Sequence, residues 1–497
     1  MTTNHPAQDE GDRVVVVGPV LMDHYYMGTV KQLDQTAAVP VIDVPPGTPF
    51  LGLGGAANAM ANLVHMAMPT AFVSVVGDDT AGRNFLNMEL PELLTRYVAT
   101  DKNYQTPCKH RVYAADSLVA RFDIDARPKA NVEDKVVDMF MKCVDDAKPL
   151  AILVSDYDKG ICTERTLQVI FEYARAHKVP VVVDPTPKHM LHYRGAHIIT
   201  PNEHEVLAAV ADPRIADVRS AAMAVCKELH AVHCIVTRGA AGMLIVRPNE
   251  TPSEMPAVPA LAVDSCGAGD TVAAAFTYGV AADMSLMPML HFAATAAAIQ
   301  VERPGASAVS LHQIHRRLTI VSGNQLKKIE LPFAMLLRAS MMVSGGDFGV
   351  ANGVFDLMHP GHVSMLEQAR KECDFLLVML NSDESAARIK SKPINDYATR
   401  AASLAALPCV DAIIKFDEDT PKSLIHNLVP TVLFKGPEHA GKTDRIPEAL
   451  TMEEVGGRIM TTTLEFDTHA TDIRAKACAA DEQEEADPQT AAPVSNS

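Results

Sequence analysis

The sequence is short of positive charge: 44 Lys and Arg stand against 61 Asp and Glu, a formal net charge of −17. A protein whose main partner is nucleic acid needs a basic face for the phosphate backbone, so this balance argues against one. Anionic small substrates stay open, because a local group of cations can outweigh the global sign. No run approaches the ~18 apolar residues of a membrane span. The nine cysteines include no Cys-x-x-Cys pair and are odd in number, which speaks against a disulfide framework and for a reducing compartment. The N-terminus lacks the basic-then-apolar pattern of a secretory signal. These absences predict a cytoplasmic protein that does not cross a membrane. What is present is a globular composition, 48% hydrophobic and 21% charged, in 497 residues. That length exceeds one ordinary core and predicts two or three domains.

Residues 264–276 read Asp-Ser-Cys-Gly-Ala-Gly-Asp-Thr-Val-Ala-Ala-Ala-Phe. Gly267, Ala268 and Gly269 precede a lone carboxylate, Asp270, and a small-residue run suited to a buried helix. Glycines at a helix entrance let backbone N–H groups point at an anion, and the helix dipole adds positive potential there. A carboxylate beside such a site can take a proton from a hydroxyl that attacks a phosphate. An ordinary tight turn before a core helix would read the same way from the glycines alone.

Before this stretch, short apolar runs alternate with helical patterns, and polar residues gather at the carboxyl ends of the runs. Residues 14–17 form the first run, with Asp23 just beyond. Residues 28–44 read as strands of a small lid sheet. Gly54 and Gly55 permit close backbone approach to a ligand, and Asn58 offers both a donor and an acceptor to hydroxyls. Later runs end in Asp156 and Lys159, in Asn202 and Glu205, and in Thr237, Arg238 and Gly239. A doubly wound parallel sheet requires this placement for its ligand crevice. Lys109, Arg111 and Arg121 lie in two strand-like segments; they are either solvated edge decoration or a grip for a phosphorylated substrate.

Residues 264–270 resemble the second signature of the ribokinase-like (PfkB) sugar kinases, Asp-Thr-x-Gly-Ala-Gly-Asp, with Ser265 for the usual Thr. The resemblance covers roughly 13–317. Within the family it is nearest to the heptose 7-phosphate kinases, through Ser-Asp-Tyr-x-Lys-Gly at 155–160 and His-Tyr-Arg-Gly-Ala at 192–196. It implies that Asp270 is the base for the sugar hydroxyl and that 267–270 form the γ-phosphate anion hole. It further implies that Asn202 and Glu205 organise Mg²⁺ through water, and that Thr237, Arg238 and Gly239 lie near ATP. One departure stands out: Pro19 follows Gly18 where the heptose kinases carry an acid, which leaves Asp23 alone in that loop.

Residues 318–345 show no clear strand–helix alternation and are expected to be a linker. Beyond it, a βαβ start carries Asn352-Gly353-Val-Phe355-Asp356-Leu-Met-His359-Pro-Gly-His362. Two histidines three apart at a helix start face one way. They could bind metal, for which no further ligand is spaced nearby, or contact a phosphate together with the helix N-terminus. The segment resembles the His-x-Gly-His motif of the cytidylyltransferase-like nucleotidyltransferases, which implies the phosphate role. Asp383, Arg400, Lys435 and Gly436 match that family's nucleotide-lining positions. Thr471 stands in its late Ser-Thr-Thr segment, where Thr468-His469-Ala470 departs from the pattern. Residues 436–443 also satisfy the phosphate-loop pattern Gly-x4-Gly-Lys-Thr. Pro447 follows too soon for the long helix such a loop needs, and the remaining chain is too short for its sheet.

The sequence therefore predicts an α/β protein with five segments: a flexible N-terminus (1–12), a ribokinase-like kinase with a β lid (13–317), a linker (318–345), a Rossmann-like nucleotidyltransferase (346–475) and a disordered acidic tail (476–497). The joint resemblance is to the bifunctional heptose 7-phosphate kinase/heptose 1-phosphate adenylyltransferases. It implies ATP and Mg²⁺ as cofactors, sugar phosphates as substrates, a separate sugar-bisphosphate phosphatase between the two steps, and a homodimer through the lid. Two other readings remain: a kinase for a different sugar phosphate, and a regulator with a weakened transferase half.

Overall fold

A computed structural model describes residues 11–463, apart from 35, 38, 48, 90, 116, 126–131, 211–213, 323, 390–391 and 443–444. The chain divides into two compact units, with the division between Leu318 and Thr319. Thr471 and the expected acidic tail lie outside the described residues.

In the first unit, the apolar run 14–17 lies in the strand Asp12–Val17, a central strand whose four valines are buried on both faces. It pairs in parallel with Thr70–Gly77 on one side and Lys148–Ser155 on the other. Val181–Asp184, Ile198–Ile199 and His233–Thr237 extend the parallel ladder outward. Two antiparallel strands, Met243–Val246 and Ser253–Met255, finish one edge of a nine-stranded sheet. Near-continuous Val, Ile and Leu are what a sheet covered by helices on both faces demands. After the first strand the chain builds to one side of it through Thr70–Gly77, then crosses to build on the other side from Lys148–Ser155; ligand crevices open at the carboxyl ends beside such a switch.

A second sheet of the first unit forms the lid, from Val20–Leu33, Pro40–Asp43, Phe50–Gly55, Cys108–Ala114 and Ser117–Ile124. Asp23 accordingly lies within the long lid strand rather than in a loop after the first strand.

In the second unit five parallel strands run in the order Ala412–Phe416, Phe375–Asn381, Phe348–Gly353, Val432–Lys435, Arg458–Thr461. The first of them in the chain is again central, and its carboxyl end faces the switch point. The stretch expected to be a linker is helical: Leu311–Ser322 and Leu331–Ser344 cover most of it. Pro332 sits at the start of the latter and Gly345 closes it in the left-handed conformation. These are the residues that suit a helix's two ends. Its apolar residues recur on all sides, which hid the helical period.

Candidate active sites

In the first unit the helix Ala268–Ala281 is buried from Asp270 to Gly279, with a run of small residues, Ala273 to Ala275, in its middle. It starts at Gly267, whose φ of 75° belongs to the left-handed region. A Cβ there would stand 2.7 Å from Asn58 Nδ2 and 3.0 Å from Ala306 Cβ, so no other residue fits. Asp264 braces the approach, accepting from Cys266 N and Gly305 N, both at 2.9 Å. Above Gly269 the space is open. Free N–H groups of a helix's first turn facing open space are suited to an anion.

Asp270, in that first turn, is 3% exposed. Asn58 Nδ2 donates to its Oδ2 at 2.9 Å and the Tyr157 hydroxyl to its Oδ1 at 2.6 Å. Burial pushes its carboxyl up to about 6, against the pull of these two donors and of Lys109. A carboxylate held near neutrality by desolvation is tuned for proton abstraction.

The lid contributes Asp23 and Arg111, both buried, as an ion pair at 2.6 Å. Arg111 also donates to Cys266 Sγ at 3.2 Å and lies over the Tyr25 ring. Directly across the lid ladder, Arg121 pairs with Asp123 at 2.6 Å. Arg111 and Arg121 are therefore not free cations awaiting a phosphate; each is held by a carboxylate of its own strand layer. Lys109 faces the same side, with its ammonium 5.5 Å from the Tyr157 ring centroid.

Several expected contacts are used differently from the sequence reading. The close approach allowed by Gly54 is to Asp23, since a Cβ would stand 2.9 Å from Asp23 Oδ2. Asn58 spends an amide hydrogen on Asp270 rather than on a ligand hydroxyl. Asp156 faces inward: His189 Nδ1 and the Tyr193 hydroxyl contact its Oδ2 at 2.7 and 2.8 Å, and Asp158 N donates to its Oδ1. Lys159 pairs with Asp125. Asp156 and Lys159 thus shape the strand-end turn, because their polar atoms already have protein partners.

At the far end of the strand row, Asn202 and Glu205 close a capping box on the helix Glu203–Ala208. Glu205 N donates to Asn202 Oδ1 at 2.9 Å and Asn202 N to Glu205 Oε2 at 2.8 Å. Asn202 also bridges in parallel to Thr237. Arg238 is held by Glu203 at 3.0 Å, and Gly239, with φ 52°, has open space around it. Asp184, at the end of its strand, was readable as a strand end but not as a member of this corner. Burial, then the charges of Asp270, Glu205 and Asp156, push its carboxyl well upward. Burial also pushes Glu205 up. Crowded oxygen donors of this kind suit a hard divalent cation. Among the described residues no group of three His, Cys, Asp or Glu converges as a direct metal site.

The second unit places its motif at the carboxyl end of the central strand. His359 occupies the N-cap position of the helix Pro360–Lys371 without a side-chain capping bond, and the His359 and His362 rings lie 3.8 Å apart. Phe355, at φ 47°, holds a left-handed turn and packs 5.3 Å from His362. A bulky residue in that conformation is strained, and the turn re-aims the chain over the strand end. Lys435 Nζ donates to Asn352 Oδ1 at 2.8 Å and pairs with Glu448 at 2.9 Å, a partner the sequence did not reveal. Gly436 follows directly on Lys435 and its strand.

Asp356 accepts from Ile394 N at 3.0 Å and Asn395 N at 2.9 Å, tying down that loop. Arg400 is 1% exposed and gives its protons to Asn395 O, Val354 O, Asn381 O and Asp383. With four of its five N–H donors used in this way, Arg400 clamps the strand ends together. The decoy phosphate loop fails structurally as well. Three residues of 3-10 helix, Pro437–His439, follow Gly436, and the next α-helix starts only at Ala449.

Comparison with known proteins follows this division. Residues 12–313 match the pfkB family carbohydrate kinase model, and residues 350–476 match the cytidylyltransferase-like model. Curated relatives match across both halves. "Bifunctional protein HldE" of Rhodopseudomonas palustris (strain BisB18) is 33% identical over 451 residues, covering 86% of this chain and 89% of that protein. The protein of the same name from Pelobacter propionicus is 33% identical over 458 residues, covering 90% and 92%. Among solved structures, phosphofructokinase-2 from Escherichia coli in complex with substrates and products superposes with a TM-score of 0.51 at 18% identity. It covers 63% of this chain and 99% of that one, a likeness of fold.

Proposed function

Since the chain belongs to the bifunctional HldE proteins, as a pfkB-family carbohydrate kinase joined to a cytidylyltransferase-like half, we infer that it makes ADP-heptose in two separate ATP-dependent steps. The observation that carries the kinase step is the buried carboxylate of Asp270 beside the open N-terminus of its helix. Asp270 takes the proton of the anomeric hydroxyl of heptose 7-phosphate while that oxygen bonds to the γ-phosphorus of ATP. The bond to the β–γ bridging oxygen breaks and ADP leaves. The N–H groups of the first turn hold the γ-phosphate oxygens, and positioning and charge stabilisation carry most of the rate.

Asn202 and Glu205, with Asp184 nearby, offer the oxygen-rich corner that suits Mg²⁺ held through water. Bound there, the ion would neutralise phosphate charge. Lys109 is the cation facing the sugar side of Asp270 and is assigned to the distal phosphate.

In the second half, heptose 1-phosphate attacks the α-phosphorus of ATP and pyrophosphate leaves. His359, His362 and the helix N-terminus behind them contact the triphosphate, with Lys435 at the neighbouring strand end. The first product is a 1,7-bisphosphate and the second substrate a 1-phosphate, so a separate sugar-bisphosphate phosphatase acts between them. Homodimerisation through the lid is supported by its exposed Leu51, Phe122 and Ile124.

ADP release from the purified protein, measured with heptose 7-phosphate, fructose 6-phosphate and ribose in parallel, tests the kinase assignment. Strong preference for the heptose is expected. Equal or better use of another sugar would replace it.

A further inference from the structure

Asp270 is held by two side chains from separate elements, and one of them plays no part in the mechanism so far. Tyr157 follows the strand Lys148–Ser155, 113 residues from Asp270 in the chain. Its hydroxyl meets Oδ1 at 2.6 Å, while Asn58, from the helix Ala56–His65, meets Oδ2 at 2.9 Å. With one donor on each oxygen, the carboxylate cannot turn without breaking a hydrogen bond in a desolvated place. Lys109 sits over the outer face of the Tyr157 ring.

We propose that Tyr157 is a positioning residue for the kinase step, fixing the Asp270 carboxylate in its ionised, correctly aimed form through the hydroxyl hydrogen bond. The proposal rests on Asp270 being the base. A carboxylate accepting a short O–H bond is favoured over its protonated form, because the protonated oxygen is the poorer acceptor. The phenol itself stays a donor throughout. Burial, and then the charge of Asp270, push its ionisation well above the usual tyrosine range.

The other groups acting on Asp270 have opposing effects. Lys109 on the lid and Asn58 favour the charged form, whereas burial, Asp23 on the lid and Asp184 at its strand end disfavour it. With only two hydrogen-bond donors against that burial, losing the Tyr157 hydroxyl shifts the balance toward the protonated, inactive carboxyl.

The test is Tyr157→Phe, which keeps the ring and its contact with Lys109 and removes one oxygen. Kinase kcat/KM is measured from about pH 5 to about pH 9, with the KM for ATP and the melting temperature as controls. The acid limb should move to higher pH by on the order of one pH unit, with about a fivefold loss at its original midpoint, about tenfold well below it, and substantial recovery at high pH. The KM for ATP should hold. Loss by one factor at every pH would make Tyr157 merely structural and overturn the proposal. So would an unchanged rate and limb.

Asp270→Asn separates the two readings. If it abolishes turnover while Tyr157→Phe leaves the limb in place, only the positioning role fails. If it retains turnover, the base reading itself falls.

Discussion

Asp270 and Arg400 are both charged, both buried and both placed by a family motif, yet the surrounding chain uses them in opposite ways. Asp270 receives two donors and keeps one side toward the open end of its helix. Arg400 gives four of its five donors to three carbonyls and Asp383. A buried charge left with chemistry to perform must be under-solvated; one that is fully satisfied can only hold things together. The motif specifies the position of a residue. The partners around it decide which of the two it becomes.

The largest effect expected from breaking this contrast is on Asp270. Asp270→Asn should lower the kinase rate by ~10²–10⁴ and leave ADP-heptose formation from heptose 1-phosphate untouched. The same change should raise the stability of the first unit at neutral pH. The Asp270 carboxyl is raised from 3.8 to about 6, so the folded state favours its protonated form. The penalty for ionised Asp270 is absent below the unfolded value and grows as pH rises, reaching its full size above about 6. Melting curves at about pH 8 should therefore show the Asn variant more stable by on the order of 2–3 kcal/mol, and curves near pH 4 should show little difference.

Arg400→Met should act in the other sense, destabilising the second unit by about 3 kcal/mol through stranded carbonyls while the kinase rate holds. Full folding stability with selective loss of ATP affinity would restore Arg400 as a nucleotide ligand. His359→Ala and His362→Ala should suppress adenylyl transfer with the kinase unchanged and no metal lost. Elemental analysis of the purified variants checks the second point. The smallest effect is expected at Lys442, because among the described residues the next α-helix after the decoy loop starts only at Ala449. Lys442→Ala should change neither activity more than modestly.

These contrasts mark what could be read along the chain. Strand ends carrying Asp184, Asn202 and Thr237 follow from apolar runs broken by polar residues, and the parallel sheet follows from their alternation. The helix entrance proposed as the anion hole was legible because Gly267 and Asp270 stand three residues apart in one turn. Tyr157 and Glu448 were not, because each acts on a residue that only the fold brings near. The ion pair of Arg111 was hidden for a related reason: its partner Asp23 lies 88 residues away. The helix Leu331–Ser344 escaped because an apolar residue at nearly every position erases the period that marks an amphipathic helix, although Pro332 and Gly345 bracket it.

Two sites in one chain, with a step missing between them, is the claim on which the rest depends. Phosphorus NMR on the purified protein with heptose 7-phosphate, Mg²⁺ and ATP tests it most directly. The account predicts that heptose 1,7-bisphosphate and ADP accumulate and nothing further forms, and that ADP-heptose and pyrophosphate appear once a sugar-bisphosphate phosphatase is added. ADP-heptose formed by the protein alone, or no bisphosphate at all, would contradict it.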